Sequence, residues 1–374
     1  MLNLPFGNLI DRNYGMADAA PKLRFHGLDG LRGVCALTIV LLHSELLFNA
    51  GAIFCHGYLA VDMFFILSGF VISASYDARF CAGLTAWRFF LARIRRLAPV
   101  FWAGTALCIG AALVRSHYDP TILSRNVLVF GIMAAMLLPY LGPGAFAYPA
   151  NPVAWTLAWE LVVNLLYAKW LRRVATLPLL ALIAAFLALA TVEAFINPRG
   201  WSFGMTGMDI WSAGFRALPE FLIGVVLYRG YCSGWATRLP VVTPMLPLAA
   251  WLAIASLPQG LSPLVDLGVV VLACPLLIAA LVVAEAQIPA WFALLGAVSY
   301  PLYASHLAII WLAQHTPIFD LDRQARPLLA ACVILLALGV AAVLHLLADP
   351  AAKWRKRELK VPHPGACEAS SQAL

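Results

Sequence analysis

The chain has 374 residues, of which 63% are hydrophobic and only 11% charged, with a formal net charge of +7. Ordinary soluble domains carry about 25% charged residues, so this composition, with its mean hydropathy of +0.86, excludes a fold that faces water on all sides. The basic residues cluster at the ends of apolar runs, as membrane topology requires; the expected partner is membrane lipid, and no nucleic acid.

In chain order, residues 1–25 form a charged N-terminal segment without the apolar core of a cleavable signal peptide. Met16 offers a shorter start. The first apolar run begins at Leu31 and is long enough to stay as an anchor. Eleven runs of near-spanning length cover about 31–49, 57–76, 97–114, 122–141, 153–170, 177–196, 212–228, 242–257, 265–284, 291–313 and 328–347. Such runs must be helical, because lipid offers no partner to an open backbone edge. The eight cysteines are scattered without C-x-x-C pairs. Those in apolar runs, such as Cys35, Cys108, Cys274 and Cys332, suit small buried hydrophobes rather than disulfides or metal ligands.

Charge tests whether every run crosses. With the N-terminus inside and 122–141 not crossing, nineteen of the 25 Lys and Arg residues fall inside. If 122–141 crosses, the basic clusters at 169–173 and 353–357 fall outside, against the positive-inside bias. The expectation is an all-α polytopic membrane protein of about ten transmembrane helices plus one re-entrant or interfacial segment. Residues 26–350 would form one membrane domain, and 351–374 a basic cytoplasmic tail. Both termini would lie in the cytoplasm.

Ionisable residues inside spans are costly, so each is a functional candidate. In LDGLRGVCALTIVLLHSELL, Asp29 precedes Arg32 by one turn, and His43 follows Arg32 by eleven residues. That spacing puts Arg32 and His43 on one helix face about 16 Å apart. An imidazole titrates near neutral pH and can serve as general base on a hydroxyl, or it can be a structural histidine bonded to a neighbouring helix. Asp62 lies in the otherwise apolar GYLAVDMFFILSGFVISAS, where it could orient a base or pair with an arginine; Ser68 and Gly69 suit close helix packing.

In WRFFLARIRRLAP, Arg93 and Arg96 share a face, and guanidinium groups bind phosphate oxygens bidentately; the same charges also serve as a topology signal. Thr156, Glu160, Asn164 and Tyr167 recur at helical spacing as one polar stripe, suited to a site or to inter-helix hydrogen bonds. Arg216 and Glu220 stand one turn apart as an ion pair or a substrate contact. Ser299, Tyr303 and His306 share a face of LGAVSYPLYASHLAIIW. His315 and Asp320 match an H-x-x-x-x-D spacing, but two residues in a Pro-containing loop arise by chance.

Six segments in order, LDGLRGVCALTIVLLH, VDMFFILSGFVIS, RIRRLAP, WTLAWELVVNLLY, LPEFLIG and SYPLYASH, make the chain resemble the acyltransferase-3 family of membrane O-acyltransferases acting on surface polysaccharides and related glycans. The resemblance implies ten helices and an acyl-CoA donor, usually acetyl-CoA; the scattered cysteines give no reason to expect a metal. It implies that Arg32 and His43 hold the essential first-helix positions and Arg93 and Arg96 the essential arginine pair. WTLAWE departs from the usual W-S-L-x-x-E by Thr for Ser, and Asn164 stands near the usual Phe-Tyr, which puts acceptor fit in question.

The chain shows no SGNH hydrolase-like domain, so transfer to a distant glycan would need an extracytoplasmic partner acyltransferase or a direct route. The expected mechanism docks CoA phosphates on Arg93, Arg96 and Arg32. His43, oriented by Glu160 or Asp62, then deprotonates a hydroxyl of a glycan or lipid-linked saccharide; an acyl-histidine intermediate is the variant. The expected location is the bacterial inner membrane. The rival is a glycan or small-solute transporter or flippase, against which the gathering of arginines at one mouth speaks.

Overall fold

The computed structural model describes residues 24–48, 53–118, 126–142, 146–314 and 326–348. Met16 and the rest of the first 23 residues, the first four residues of the 122–141 run, the His315 and Asp320 pattern and the basic tail lie outside the described residues.

Twelve helices follow in order: α1 (His26–Phe48), α2 (Ala60–Cys81), α3 (Ala86–Tyr118), α4 (Val127–Ala135), α5 (Ala154–Lys169), α6 (Thr176–Ile196), α7 (Gly214–Cys232), α8 (Met245–Ala255), α9 (Pro263–Gly268), α10 (Cys274–Val283), α11 (Trp291–Gln314) and α12 (Arg326–Ala348). A π-turn over Val269–Ala273 joins α9 to α10 as one rod. The described residues contain no strand, only an isolated bridge between Phe146 and Thr206. The architecture is all-α and polytopic, as its apolar runs demand.

Seven rods are long and apolar enough to cross a membrane: α1, α2, α3, α6, α9–α10, α11 and α12. Three further runs fold into helices below that standard. α5 has 16 residues and α8 has 11, while α7 carries Arg216, Glu220 and Arg229 within 19 residues. α3 is the opposite case. Its 33 residues extend about 50 Å against a hydrocarbon core of about 30 Å, and the surplus at its start carries the exposed Arg95 and Arg96.

Among its described residues, 126–141, the run at 122–141 contains the nine-residue helix α4, about 14 Å long and under half of a span. It stops just before Leu137, a non-glycine residue at φ 56°, in the left-handed region that breaks a helix.

Three helix pairs reach across α4 in the chain, and all three run parallel. Arg32 on α1 bonds Ser299 and the Gly296 carbonyl on α11, and His43 further along meets His306 further along. On α2 and α7, Asp62 meets Arg216, while Gly69 lies against Phe221 and Gly224 against Ile66. On α3 and α11, Tyr300 bonds the Leu97 carbonyl and Gly104 faces Ala304. Parallel helices in a bilayer have an odd number of crossings between them. Between α2 and α7, the three helices α3, α5 and α6 satisfy this; adding α4 would not.

The α2–α7 seam shows why its glycines are there. A Cβ on Gly69 would lie 1.9 Å from the Phe221 carbonyl oxygen, and one on Gly224 2.0 Å from that of Ile66. Small residues let the two backbones touch, the usual route to helix association in lipid. At the rim, α6 and α12 leave Leu177 78% and Leu346 71% exposed, a surface suited to acyl chains. The start of α1 is capped from afar: Glu285 accepts the backbone N–H groups of His26 at 2.7 Å and Gly27 at 3.1 Å. This satisfies donors that the first turn of a helix leaves unpaired and favours the positive end of its dipole.

Candidate active site

Helices α1, α3, α5 and α11 place their polar side chains in three levels along one axis. At the first level, Arg32 donates Nη2 to Asp29 at 3.0 Å and to the Gly296 carbonyl at 2.8 Å, and Nε to Ser299 Oγ at 2.9 Å. Asp29 is held in turn by Arg24. On α3, Arg93 donates to Glu160 of α5, which also accepts from Ser68 Oγ at 3.3 Å. Arg93 is buried, and its Nε has no hydrogen-bond partner among the described residues. Arg96, one turn on, is exposed. Arg32, Arg93, Arg96 and Glu160 lie within electrostatic reach of one another.

At the second level, Thr156 Oγ1 donates to the Val153 carbonyl at 2.8 Å. Its 3.0 Å contact with Tyr303 is then made by the tyrosine hydroxyl donating. Tyr303 also lies 5.7 Å from Phe64 and 5.9 Å from His306, ring centre to ring centre. At the third level, His43 Nδ1 and His306 Nε2 are 2.8 Å apart, with the rings inclined by only 6°. His306 is fully buried, whereas His43 keeps partial exposure. Arg32, Ser68, Thr156, Glu160 and Tyr303 are also partly exposed, although each bonds across to another helix.

The expected polar stripe of α5 points inward throughout. Below Thr156 and Glu160, Asn164 is fully buried, and neither amide atom has a partner among the described residues. Tyr167 donates to Asp77 at 2.5 Å and accepts from Ser73 at 3.0 Å.

One expectation is corrected. His43 is hydrogen-bonded to His306 rather than to the expected Glu160 or Asp62, because Glu160 is bonded to Arg93 and Ser68, and Asp62 belongs to another cluster. Asp62 accepts from Arg216 Nη2 at 2.7 Å and Nε at 3.2 Å, and from Trp201 Nε1 at 2.8 Å. Arg216 also donates to the Phe203 carbonyl at 3.0 Å and lies 3.9 Å from Glu220. Asp62 and Glu220 are fully buried, and Arg216 is nearly so. The Trp155 and Phe203 rings cover its guanidinium at 5.8 and 5.5 Å. This second cluster has no open side.

Sequence reasoning missed Trp201, Asp77 and the trio Tyr58, His56 and Asp266, and read Ser68 as a packing residue where its hydroxyl donates to Glu160. Tyr58 donates to Asp266 at 2.9 Å, and His56 lies 3.6 Å from it. A lone Asp266 at the start of an apolar run was the available signal. The connection between α6 and α7 is stapled by Asp209, which accepts from the Thr206 amide at 2.7 Å, the Gly204 amide at 3.0 Å and the Thr206 hydroxyl. Burial pushes its carboxyl up, but those bonds outweigh it and hold the group below its ordinary value.

The chain was compared with known proteins. It is 35% identical over 192 residues to "Protein 2 in picA locus" of Rhizobium radiobacter, covering 46% of this chain and 98% of that one. It is 26% identical over 202 residues to "Exopolysaccharide production protein ExoZ" of Rhizobium meliloti (strain 1021), covering 50% of this chain and 61% of that one. No solved structure matches. The profile of the acyltransferase-3 family, described as an acyltransferase domain, matches residues 25–346, a stretch that contains every helix of the three-level site. The chain therefore belongs to the acyltransferase-3 family, and is a membrane enzyme that transfers acyl groups other than aminoacyl groups.

Proposed function

We propose that the protein moves an acyl group, acetyl in the simplest case, from cytoplasmic acyl-CoA to a hydroxyl of a glycan or lipid-linked saccharide outside a bacterial inner membrane. The observation that carries the proposal is the axial order of the site. Arginines gather at one end, the His43–His306 pair stands at the other, and Arg32 and His43 share α1. Eleven residues of helix separate them by about 16 Å, a span that the pantetheine arm of CoA covers when extended. In this reading the arginine end faces the cytoplasm, where CoA is found and where both termini lie. The exopolysaccharide role in the name of one relative agrees with a glycan acceptor.

The steps follow from what each group can donate or accept. Arg96 and Arg32 bind CoA phosphates, helped by the unpaired Nε of Arg93. The thioester carbonyl then lies near Tyr303 and His43. The acceptor hydroxyl attacks that carbonyl while His43 Nε2 takes its proton. The new C–O bond forms, and the C–S bond of the tetrahedral intermediate breaks. The departing thiolate recovers the proton from His43, leaving ester and CoA thiol.

Mass spectrometry of surface glycans from a deletion strain, complemented with wild type or His43→Ala, tests this. Wild type restores an acyl mass increment and the variant does not. An unchanged glycan in the deletion strain, or full acylation by a stably inserted His43→Ala protein, overturns the proposal. Purified protein should also bind acetyl-CoA, which a glycan flippase has no reason to do.

A further inference from the structure

We infer that His306 is the positioning residue that locks His43 in the tautomer whose Nε2 lone pair is free to take a proton, an inference that rests on the reading of His43 as the base. Two backbone carbonyls, which can only accept, fix the hydrogen on His306. His306 Nδ1 lies 2.8 Å from the Tyr303 carbonyl and 3.2 Å from that of Leu302, so Nδ1 carries the hydrogen. A neutral imidazole with its hydrogen on Nδ1 has an acceptor at Nε2. His43 Nδ1, 2.8 Å from that Nε2, must then be the donor, which leaves its own Nε2 unprotonated. The near-coplanar rings point the N–H of one at the lone pair of the other.

The opposite assignment makes His306 an imidazolium donating from both nitrogens. That would bury a charge completely, with only carbonyls and a neutral ring around it among its hydrogen-bond partners, at a large desolvation cost. The two histidines cannot trade roles. His306 is sealed and uses both nitrogens, whereas His43 is partly exposed and its Nε2 has no partner among the described residues. When His43 takes a proton, its Nδ1–H bond to His306 becomes charge-assisted and strengthens. His306 thus does with a neutral ring what a carboxylate does for the histidine of a hydrolase triad: it sets tautomer and ring angle without entering the reaction.

The prediction is unusual, since both rings must hold the hydrogen on Nδ1, the less populated tautomer of imidazole in water. The test uses the full chain with nitrogen-15 histidine in phosphatidylethanolamine–phosphatidylglycerol nanodiscs. Solid-state NMR should give His43, assigned by its loss in His43→Ala, a protonated Nδ1 and a bare Nε2. His306→Leu removes the acceptor and should return His43 to the Nε2–H form. It should also lower glycan acylation in the complemented deletion strain by about 10²–10⁴-fold. His306→Gln keeps an acceptor oxygen in place of Nε2 and should restore acylation to within about tenfold of wild type.

An Nε2–H signal for His43 in the wild-type protein overturns the inference, and so does wild-type acylation by His306→Leu. If His306→Leu does not fold, the wild-type spectrum decides alone. The spectrum needs no acceptor, so a wild-type protein that acylates no glycan would sink the proposed function and leave the tautomer assignment to stand or fall on the NMR.

Discussion

Two of the clusters of ionisable groups among the described residues pair an arginine with a carboxylate inside the helices. Around α1, α3, α5 and α11, Arg93 meets Glu160, whose side chain is 25% exposed, and Arg32 is 31% exposed. Around α2 and α7, Arg216 meets Asp62, with side chains 2% and 0% exposed. The first cluster keeps unpaired or reachable groups beside a partly exposed histidine. The second surrounds its arginine with two carboxylates, two aromatic rings and a carbonyl. Intramembrane charge by itself marks neither kind of place; access does. In the proposed reading the first receives a ligand, while the second holds α2, α7 and the Trp201 segment together.

Paired substitutions test that division. His43→Ala should lower transfer by about 10²–10⁴-fold, the usual worth of a general base, with the thermal unfolding midpoint in detergent unmoved. Arg216→Met should do the reverse. It strands two buried carboxylates, and removing one partner of a buried pair costs about 3–5 kcal/mol, seen as a lowered midpoint and a poor folded yield. An Arg216→Met protein of normal stability that has lost only transfer would place the second cluster in the active site after all.

Next in size is Arg96→Ala. Its guanidinium is exposed and outside the buried pairs, so its loss should raise the KM for acyl-CoA. A hydrogen bond to a charged group contributes about 1.5–3 kcal/mol, or roughly 10- to 100-fold in KM, with kcat and stability little changed. A fall in kcat at constant KM would instead put Arg96 beside the reacting atoms. Gly69→Leu falls on the structural side. The α2–α7 seam has no room for a side chain there, and overpacking of this kind costs about 1–3 kcal/mol, measurable as a lowered unfolding midpoint.

The difference between the clusters also shows how far the sequence carries. Helices follow from composition, since apolar runs of this length have no other stable form in lipid. Local pairs were legible too: Arg32 with Asp29 and Arg216 with Glu220 lie within one turn. The decisive contacts were not, because they join distant segments. His43 and His306 are 263 positions apart, Asp62 and Arg216 154, and Arg93 and Glu160 67. No helical period encodes which faces meet. Expecting a carboxylate behind His43 was natural for a base, and it missed an imidazole whose own partners are backbone carbonyls. Those carbonyls stand one turn earlier on α11, in the stretch that holds Pro301, and carry no trace in residue identity.

The smallest effect expected lies outside the helices and sharpens what counts as structural. Asp209 ties Gly204 and Thr206 into the connection from which Trp201 and Phe203 reach the Arg216 cluster. Its carboxyl titrates below its ordinary value of 3.8 despite burial that pushes the other way. A folded-state value below the unfolded one means that ionised Asp209 favours the folded connection. That contribution is complete above the unfolded value and fades as pH falls through the folded one. The protection factors of the Gly204 and Thr206 amides, their exchange corrected for the intrinsic pH dependence, should therefore be high and constant near neutrality and fall below about pH 4. Asp209→Asn should exchange faster at neutral pH and lose that acid dependence. Because Asp62 and Arg216 are joined through α2 and α7 as well, the unfolding midpoint should move by only a few degrees. A fall as large as that of Arg216→Met would mean that the connection, rather than the buried pair, holds the second cluster shut.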